Sequence, residues 1–204
     1  PAAVISIIRK RLRKEKIEKQ AEELNKKVLT EPEGLFDVIV IDPPWEYSEK
    51  GGFSYKQYDS LGNRGGVDYN TMNLEQIKNI ELPIEEDCVL FLWTTHKFLP
   101  DSFDLLNEWG FEYKATLVWD KEKMGIGRTI RLQCEFCLIG IMGKPVIIGS
   151  SERDIIREKR RQHSRKPDAF YDMVQRMCPG RKLDYFGRQN REGWDVYGSE
   201  SGRF

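Results

Sequence analysis

The stretch Val38-Ile39-Val40-Ile41-Asp42-Pro43-Pro44-Trp45 decides the fold of this chain. Four consecutive β-branched residues are typical of a strand that is buried on both faces of a parallel sheet. The strand must end at Asp42, because the two prolines that follow cannot donate hydrogen bonds to a ladder. Open α/β sheets bind their ligands at the carboxyl ends of their strands. The stretch therefore predicts a carboxylate at the ligand-binding edge of a central strand.

The residues that follow this strand suit an exocyclic amine on a nucleobase. The Asp42 carboxylate and the Pro43 carbonyl can accept the two protons of the amine, and the Trp45 indole can stack on the ring. An adenine amine is a poor nucleophile because its lone pair is delocalised into the ring. Acceptors around both N–H bonds stabilise the positive charge that develops when the nitrogen attacks. The alternative interpretation is that Asp-Pro-Pro is only a rigid exit from the strand.

The motif Asp42-Pro43-Pro44-Trp45 resembles the signature of the MT-A70 family, S-adenosylmethionine-dependent methyltransferases that modify the N6 amine of adenine. The likeness extends from about Phe36 to about Gly198. A broader Asp/Asn/Ser-Pro-Pro-aromatic pattern is shared with DNA amino-methyltransferases that act on adenine N6 or cytosine N4. The resemblance implies that Asp42, Pro43, Pro44 and Trp45 form the catalytic motif, with Asp42 also in contact with the cofactor.

A second motif, His163-Ser164-Arg165-Lys166-Pro167-Asp168, resembles the His-Ser-x-Lys-Pro segment of the family. The resemblance implies that Lys166 lies near both the cofactor carboxylate and the target amine, with Arg165 on the substrate side. Pro167 suits position N1 of a helix that runs to Met177, because proline needs no hydrogen-bond acceptor there. Asp168 would then lie beside the positive end of that helix.

A third motif suits the cofactor. Residues 183–187 are predicted to form a strand that ends in glycine, which lets the backbone approach a ligand closely. Phe186-Gly187 resembles the glycine motif that binds S-adenosylmethionine, and it follows the catalytic motif, as in the permuted order of the family. In the closing segment, Ser199 stands where the family usually has asparagine. The cofactor-binding residues implied by the resemblance are Asp42, Lys166, Phe186, Gly187, Arg188, Gln189, Asn190, Ser199 and Glu200.

The target base has further candidate contacts. Tyr69-Asn70-Thr71-Met72 resembles the family's Tyr-x-Thr-Met segment, which implies that Tyr69 contacts the substrate. Glu135 stands at the mouth of an apolar strand, where it could bond the base or orient a lysine. The alternative is a solvent-facing carboxylate on an edge strand. Two glycine-containing loops, 46–66 and 121–130, carry cations that suit flaps facing nucleic acid. The alternative for the loops is that they have no role.

The remaining pattern predicts an α/β fold of the Rossmann-like methyltransferase type, with a mostly parallel sheet flanked by helices. The expected organisation is a basic helical arm over residues 1–31 and a catalytic domain over residues 32–204. Further strands are predicted at 87–94, 111–119, 133–141, 145–148 and 193–198, helices at 74–79 and 98–109, and a charged helix or linker at 151–161.

Composition and charge bear on three properties of the chain, namely nucleic-acid binding, membrane contact and metal binding. Lysine plus arginine (33) equals aspartate plus glutamate (33), so net charge gives no sign of nucleic-acid binding. Basic residues nevertheless concentrate in 1–31 and 151–166, and such local patches can bind phosphates. The sequence has no apolar run of 18 residues, so we expect a cytoplasmic protein without membrane contact. Cys134 and Cys137 form a lone C-x-x-C pair, whereas structural zinc takes four ligands, so we predict no metal.

Together these features predict methyl transfer from S-adenosylmethionine to adenine N6 in nucleic acid. DNA is favoured over RNA because compact members of the family are bacterial or phage-like, where DNA is the commoner target. The alternatives are N6 methylation of RNA, cytosine-N4 methylation, or a catalytically silent subunit that only binds nucleic acid or a partner. A homodimer or a complex with a related partner subunit is compatible with the sequence.

Overall fold

The computed structural model describes residues 32–46, 71–125, 130–148, 151–162, 165–199 and 201–202, and the backbone of 57–58 and 64–65. Several sequence predictions therefore lie outside the described residues. These are the basic arm 1–31, most of the loop 46–66, part of the loop 121–130, and the residues Tyr69, His163, Ser164 and Glu200.

A seven-stranded sheet forms the centre of the described chain. Its strands are β1 (Phe36–Ile41), β4 (Ile84–Thr94), β5 (Glu112–Asp120), β6 (Cys134–Met142), β7 (Ile155–Arg157), β8 (Lys182–Tyr185) and β9 (Trp194–Tyr197). Two-residue strands β2 (Gln57–Tyr58) and β3 (Arg64–Gly65) pair separately. The order in the large sheet is β7-β5-β6-β4-β1-β8-β9. Within it, β6 runs antiparallel to both neighbours and every other pair is parallel. This confirms the predicted Rossmann-like α/β fold.

Strand β1 is central because both of its faces carry apolar side chains. Val38 and Val40 point into one core cluster, and Ile39 and Ile41 into the other. Complete burial of each side chain stabilises the fold by about 1.5–3 kcal/mol. The described helices are α1 (Leu74–Lys78), α2 (Leu99–Glu108) and α3 (Asp168–Met177). Residues of α2 pack in the cluster that contains Ile39 and Ile41, and residues of α3 pack in the cluster that contains Val38 and Val40. Helices therefore cover both faces of the sheet.

Two predicted elements near the outer edge are wrong. Residues 145–148 form no strand, although the Ile148 N–H donates to the Met177 carbonyl at 2.7 Å. The segment 151–161, predicted as a charged helix or linker, contains strand β7, which pairs parallel with β5. Ile156 is buried there whereas Ile155 is exposed. The charged neighbours obscured this short strand, because three residues are too few to show a period.

The start of α3 differs from the prediction by one residue. Pro167 has φ −66° and ψ 140°, so it is the N-cap residue and not N1. Proline has no side-chain acceptor for the first helical N–H groups. Instead, the Glu158 carboxylate accepts hydrogen bonds from the N–H groups of Asp168 (3.2 Å) and Ala169 (3.1 Å). A negative charge is favourable at this end of a helix.

Among the described residues, no helix has both the length and the apolar character needed to cross a membrane.

Candidate active site

Polar residues that the sequence predicted to form the site lie at one edge of the sheet. Asp42 follows the last residue of β1, and Gly187 lies two residues beyond the end of β8. Since β6 is antiparallel, its first residues lie at the same edge, which brings Glu135 there. Lys121 follows the end of β5 and joins them. The carboxyl edge of a parallel sheet is where such folds bind ligands.

Four side chains at this edge form a row of alternating charge. The Lys166 Nζ lies 3.0 Å from Asp42 Oδ2 and 3.0 Å from Glu135 Oε2. The other oxygen of Glu135, Oε1, accepts a hydrogen bond from Lys121 Nζ at 3.1 Å. The ammonium group of Lys166 also lies 5.1 Å from the centre of the Trp93 ring. The row holds Lys166 rigidly against the catalytic motif, and it carries no net charge.

This arrangement fixes the ionisation of two members of the row. Burial disfavours the charged form of Lys166, but the carboxylates of Asp42 and Glu135 outweigh it and raise the Lys166 pKa well above its ordinary value. Burial likewise disfavours the Glu135 carboxylate, but Lys166 and Lys121 lower the Glu135 pKa to about 2. Lys166 is therefore a permanent cation at neutral pH. An ammonium group has three donors, so two ion pairs leave one N–H that can reach an incoming anion.

The backbone of the Asp-Pro-Pro-Trp motif is held in a tight turn. The Pro43 carbonyl accepts a hydrogen bond from the Trp45 N–H at 2.8 Å. The Pro44 carbonyl accepts from the Met72 N–H at 2.8 Å, and the Met72 carbonyl accepts from the Glu46 N–H at 3.0 Å. A carbonyl oxygen has two lone pairs, so the Pro43 oxygen can still accept one proton of a target amine. The pairing with Met72 was not foreseen from the sequence.

Trp45 is more deeply packed than a base-stacking residue needs to be. Its side chain is 5% exposed, and its indole stacks on the Phe98 ring, with centroids 4.7 Å apart and planes 10° from parallel. Its buried indole N–H has no acceptor among the described residues. One face of the indole is thus already occupied, and stacking of the target base on Trp45 stays a prediction.

The turn after β8 brings the backbone close to the site. Phe186 has φ 67°, a left-handed conformation that costs a non-glycine residue about 1–3 kcal/mol. The Gly187 N–H then donates to the Asp184 carbonyl at 3.1 Å. A Cβ atom on Gly187 would lie 2.7 Å from the carboxyl carbon of Asp184. The turn therefore requires glycine, and close approach of a ligand to this backbone stays a prediction.

Asp184 and its neighbours extend the site in a way that the sequence did not indicate. The Tyr171 hydroxyl donates to Asp184 Oδ2 at 3.0 Å. Burial raises the pKa of Asp184 to about 7, the Tyr171 hydrogen bond opposes this, and the charge of Asp42 adds to it. The Arg191 guanidinium lies 3.8 Å from the centre of the Tyr171 ring and bonds Asp168 Oδ1 at 2.7 Å. A polar residue inside the apolar strand β8 was the only sequence signal for this cluster.

Other predicted site residues lie along the same edge. The Gln189 side chain accepts a hydrogen bond from Arg191 Nη2 at 3.2 Å, within the turn that also contains Phe186, Arg188 and Asn190. Ser199 follows β9, which pairs with β8, so it ends beside this turn.

Two predicted substrate-side residues have different surroundings. Arg165 lies against Asp168, with Nη2 3.4 Å from Oδ2, and also contacts Gln162. Glu135 lies on β6, between β4 and β5, so it is not on an edge strand, and it pairs with two lysines.

Comparisons with known proteins agree with this geometry. A family model described as MT-A70 matches residues 36–200. The chain is 35% identical over 187 residues to the Type II methyltransferase M.MunI of a Mycoplasma species, covering 83% of this chain and 79% of the relative. It is 28% identical over 180 residues to the N(6)-adenosine-methyltransferase catalytic subunit METTL3 of Homo sapiens, covering 82% and 28% respectively. It is 29% identical over 179 residues to a probable N(6)-adenosine-methyltransferase MT-A70-like protein of Oryza sativa subsp. japonica, covering 82% and 23%. The chain thus spans most of the first relative and about a quarter of the other two.

Proposed function

Because this chain belongs to the MT-A70 family of adenine-N6 methyltransferases, we propose that it transfers the methyl group of S-adenosylmethionine to the N6 amine of adenine in DNA. The observation that carries the proposal is the Asp42 carboxylate at the carboxyl end of β1, fixed by Lys166 and followed by the rigid Pro43 carbonyl. Two acceptors of this kind suit the two protons of an exocyclic amine.

The described residues fit S-adenosylmethionine. The cofactor, when bound, supplies an electrophilic methyl group on a positively charged sulfur. The turn at Gly187 lies two residues beyond the carboxyl end of β8, at the edge where such sheets bind ligands. The third N–H of Lys166 can hold the cofactor carboxylate, as the family resemblance implies. The proposed pocket also includes Phe186, Arg188, Gln189, Asn190, Ser199 and Glu200.

The site residues activate the amine electrostatically. Asp42 and the Pro43 carbonyl accept hydrogen bonds from the amine and stabilise the positive charge that grows on its nitrogen during attack. Lys166 keeps the Asp42 carboxylate in one orientation. Glu135 balances the charge of Lys166, so that this cation does not oppose the growing positive charge. Since Lys166 stays protonated, the proton that the methylated amine releases passes to the Asp42 carboxylate or to solvent.

We take DNA as the target polymer because of the length of the chain relative to its relatives. The chain spans 79% of the compact Type II methyltransferase M.MunI but about a quarter of the N(6)-adenosine-methyltransferases. Compact family members of the bacterial kind have DNA as their commoner target. We therefore take methylation of RNA, and a silent subunit that needs a partner, as alternative outcomes of the test.

The test is transfer of labelled methyl groups from S-adenosylmethionine to DNA and RNA oligonucleotides of the same mixed sequence, followed by nucleoside mass spectrometry. We expect N6-methyladenine in DNA, and a loss of about 10²–10³-fold or more in Asp42→Ala, by analogy with removal of one preorganised electrostatic group. Asp104→Ala, an exposed carboxylate on α2, is the matched control and should keep full activity.

Each other outcome of this experiment rejects a defined part of the proposal. Methylation of RNA alone would reject DNA as the polymer, and N4-methylcytosine would reject the target atom. Absence of transfer with cofactor still bound in calorimetry would indicate a required partner. Absence of both transfer and cofactor binding would indicate a silent subunit.

A further inference from the structure

The hairpin between β5 and β6 projects from the sheet edge that carries Asp42. Two backbone hydrogen bonds hold the arms of this hairpin together: Lys121 N–H to the Gln133 carbonyl (3.2 Å) and Gly125 N–H to the Leu132 carbonyl (2.8 Å). The Lys121 side chain also reaches Glu135, so the base of the hairpin is joined to the row of charges at the active site. The described arms are therefore fixed in position relative to the catalytic motif.

Each described arm of this hairpin carries an exposed apolar side chain. Met124 is 69% exposed on the outgoing arm, and Ile130 is 66% exposed on the returning arm. Met124 lies three residues beyond Lys121, which places it within about 10 Å of that residue along the chain. Neither side chain contributes to the buried core clusters. The pair is thus available to a ligand that occupies the active site and extends beyond it.

Exposed cations lie on the hairpin and on the neighbouring segment around β7. The segment after β7 lies against the base of the hairpin, because the Glu158 N–H bonds the Asp120 carbonyl and the Arg160 N–H bonds the Lys121 carbonyl, each at 3.2 Å. Such a grouping of cations complements the phosphates of a nucleic acid. The exposed cations are Lys123 and Arg131 in the hairpin, Arg157 at the end of β7, and Lys159, Arg160 and Arg161 after it.

We propose that Met124 and Ile130 insert into the base stack beside the target adenine and hold a duplex open while the adenine occupies the Asp42 site. This inference rests on the proposed function and extends it to a double-stranded substrate. A base inside a duplex is out of reach of an enzyme, and extruding it costs a few kcal/mol. Methionine and isoleucine are among the apolar residues that proteins insert between base steps, and the neighbouring cations hold the flanking phosphates.

The experiment compares the double variant Met124→Ser/Ile130→Ser with the unaltered chain on three forms of one DNA sequence that contains the mapped methylation site. The forms are a matched duplex, a duplex with an abasic site opposite the target adenine, and the single strand. We expect the methylation rate on the matched duplex to fall about tenfold or more, since extrusion of a paired base is costly. The rates on the other two forms should change less than about twofold, because there the base is already unpaired.

Val146→Ser is the matched control, because Val146 is also 69% exposed but follows the end of β6 at the opposite edge of the sheet. It should change none of the three rates. An equal loss on all three forms, or no loss on the matched duplex, would overturn the proposal that Met124 and Ile130 act as a wedge between the bases. The same proposal would be overturned if the unaltered chain methylated only the single strand. Absence of methylation on every form would overturn the proposed function together with the wedge.

The cations provide a second readout. Lys123→Gln/Arg131→Gln should weaken duplex binding and reduce the slope of log affinity against log salt concentration by about 2, because each phosphate contact contributes about 0.9. An unchanged slope would show that the hairpin does not contact phosphates and would overturn this part of the proposal.

Discussion

Replacing Glu135 by glutamine removes the anion that separates two lysines in the active site. Glu135 contacts Lys166 at 3.0 Å and Lys121 at 3.1 Å, and its side chain is 19% exposed. Glutamine keeps nearly the same shape but cannot balance either cation. We therefore expect Glu135→Gln to reduce the stability of the fold and to release Lys166 from one of its two anchors.

The structure gives the size of the stability change. The two lysines lower the pKa of Glu135 from 4.5 to about 2 in spite of burial. At ~1.36 kcal/mol for each pH unit, that difference corresponds to about 3 kcal/mol of unfolding free energy at neutral pH. Because the folded pKa is the lower one, the unfolded state binds the proton first. The contribution is therefore present above about pH 5 and is lost as the pH falls toward 2.

The assay is urea unfolding of both proteins between pH 7 and pH 3, followed by circular dichroism. The difference in unfolding free energy should be about 3 kcal/mol at pH 7 and should shrink steadily as the pH falls. Glu108→Gln is the control, because its pair with Lys78 is exposed to solvent and should contribute far less to stability than the buried Glu135 pairs. A difference that stays constant between pH 7 and pH 3 would refute the electrostatic reasoning.

Methyl transfer provides an independent readout of the same variant. Displacement of Lys166 should misplace the Asp42 carboxylate, and errors of about 1 Å in a reacting group cost on the order of 100-fold in rate. We expect Glu135→Gln to lower kcat by about 10- to 100-fold. An unchanged kcat, with the predicted loss of stability, would show that Glu135 supports the fold without positioning Asp42.

Three further variants test other parts of the structure. Gly187→Ala should cost about 1–3 kcal/mol of stability and weaken binding of S-adenosylmethionine in calorimetry, because the new methyl group would overlap the Asp184 carboxyl group. Burial raises the Asp184 pKa to about 7, so the folded state holds the proton to a higher pH than the unfolded state does. The unaltered protein should therefore lose stability as the pH rises from about 4 to 7. Asp184→Asn should abolish this loss. This loss is measured by chemical unfolding at several pH values. Glu158→Ala should lower the thermal unfolding temperature at a cost of about 1 kcal/mol, because the N–H groups of Asp168 and Ala169 lose their acceptor.

Short-range physics explains which features could be predicted. The predicted strands 38–41 and 183–187 and the predicted helices 98–109 and 167–177 agree with the structure to within about two residues, because their apolar patterns are long or continuous. The strand predicted to end at Gly187 ends at Tyr185, and Phe186 and Gly187 belong to the turn after it. Strand β7 was missed because it has only three residues. The cap of α3 was missed because Glu158, its acceptor, lies ten residues from Asp168 in the sequence.

The sequence by itself determined that Asp42 stands at the end of a buried strand. This follows from local constraints, namely consecutive β-branched residues and prolines that cannot continue a ladder. The tertiary structure alone decided that Lys121, Glu135 and Lys166 form one row with Asp42. Those residues come from distant parts of the chain, and Glu135 reaches this edge because antiparallel β6 is inserted between β4 and β5. The order of strands in a sheet depends on long-range packing, which no local pattern of residues encodes.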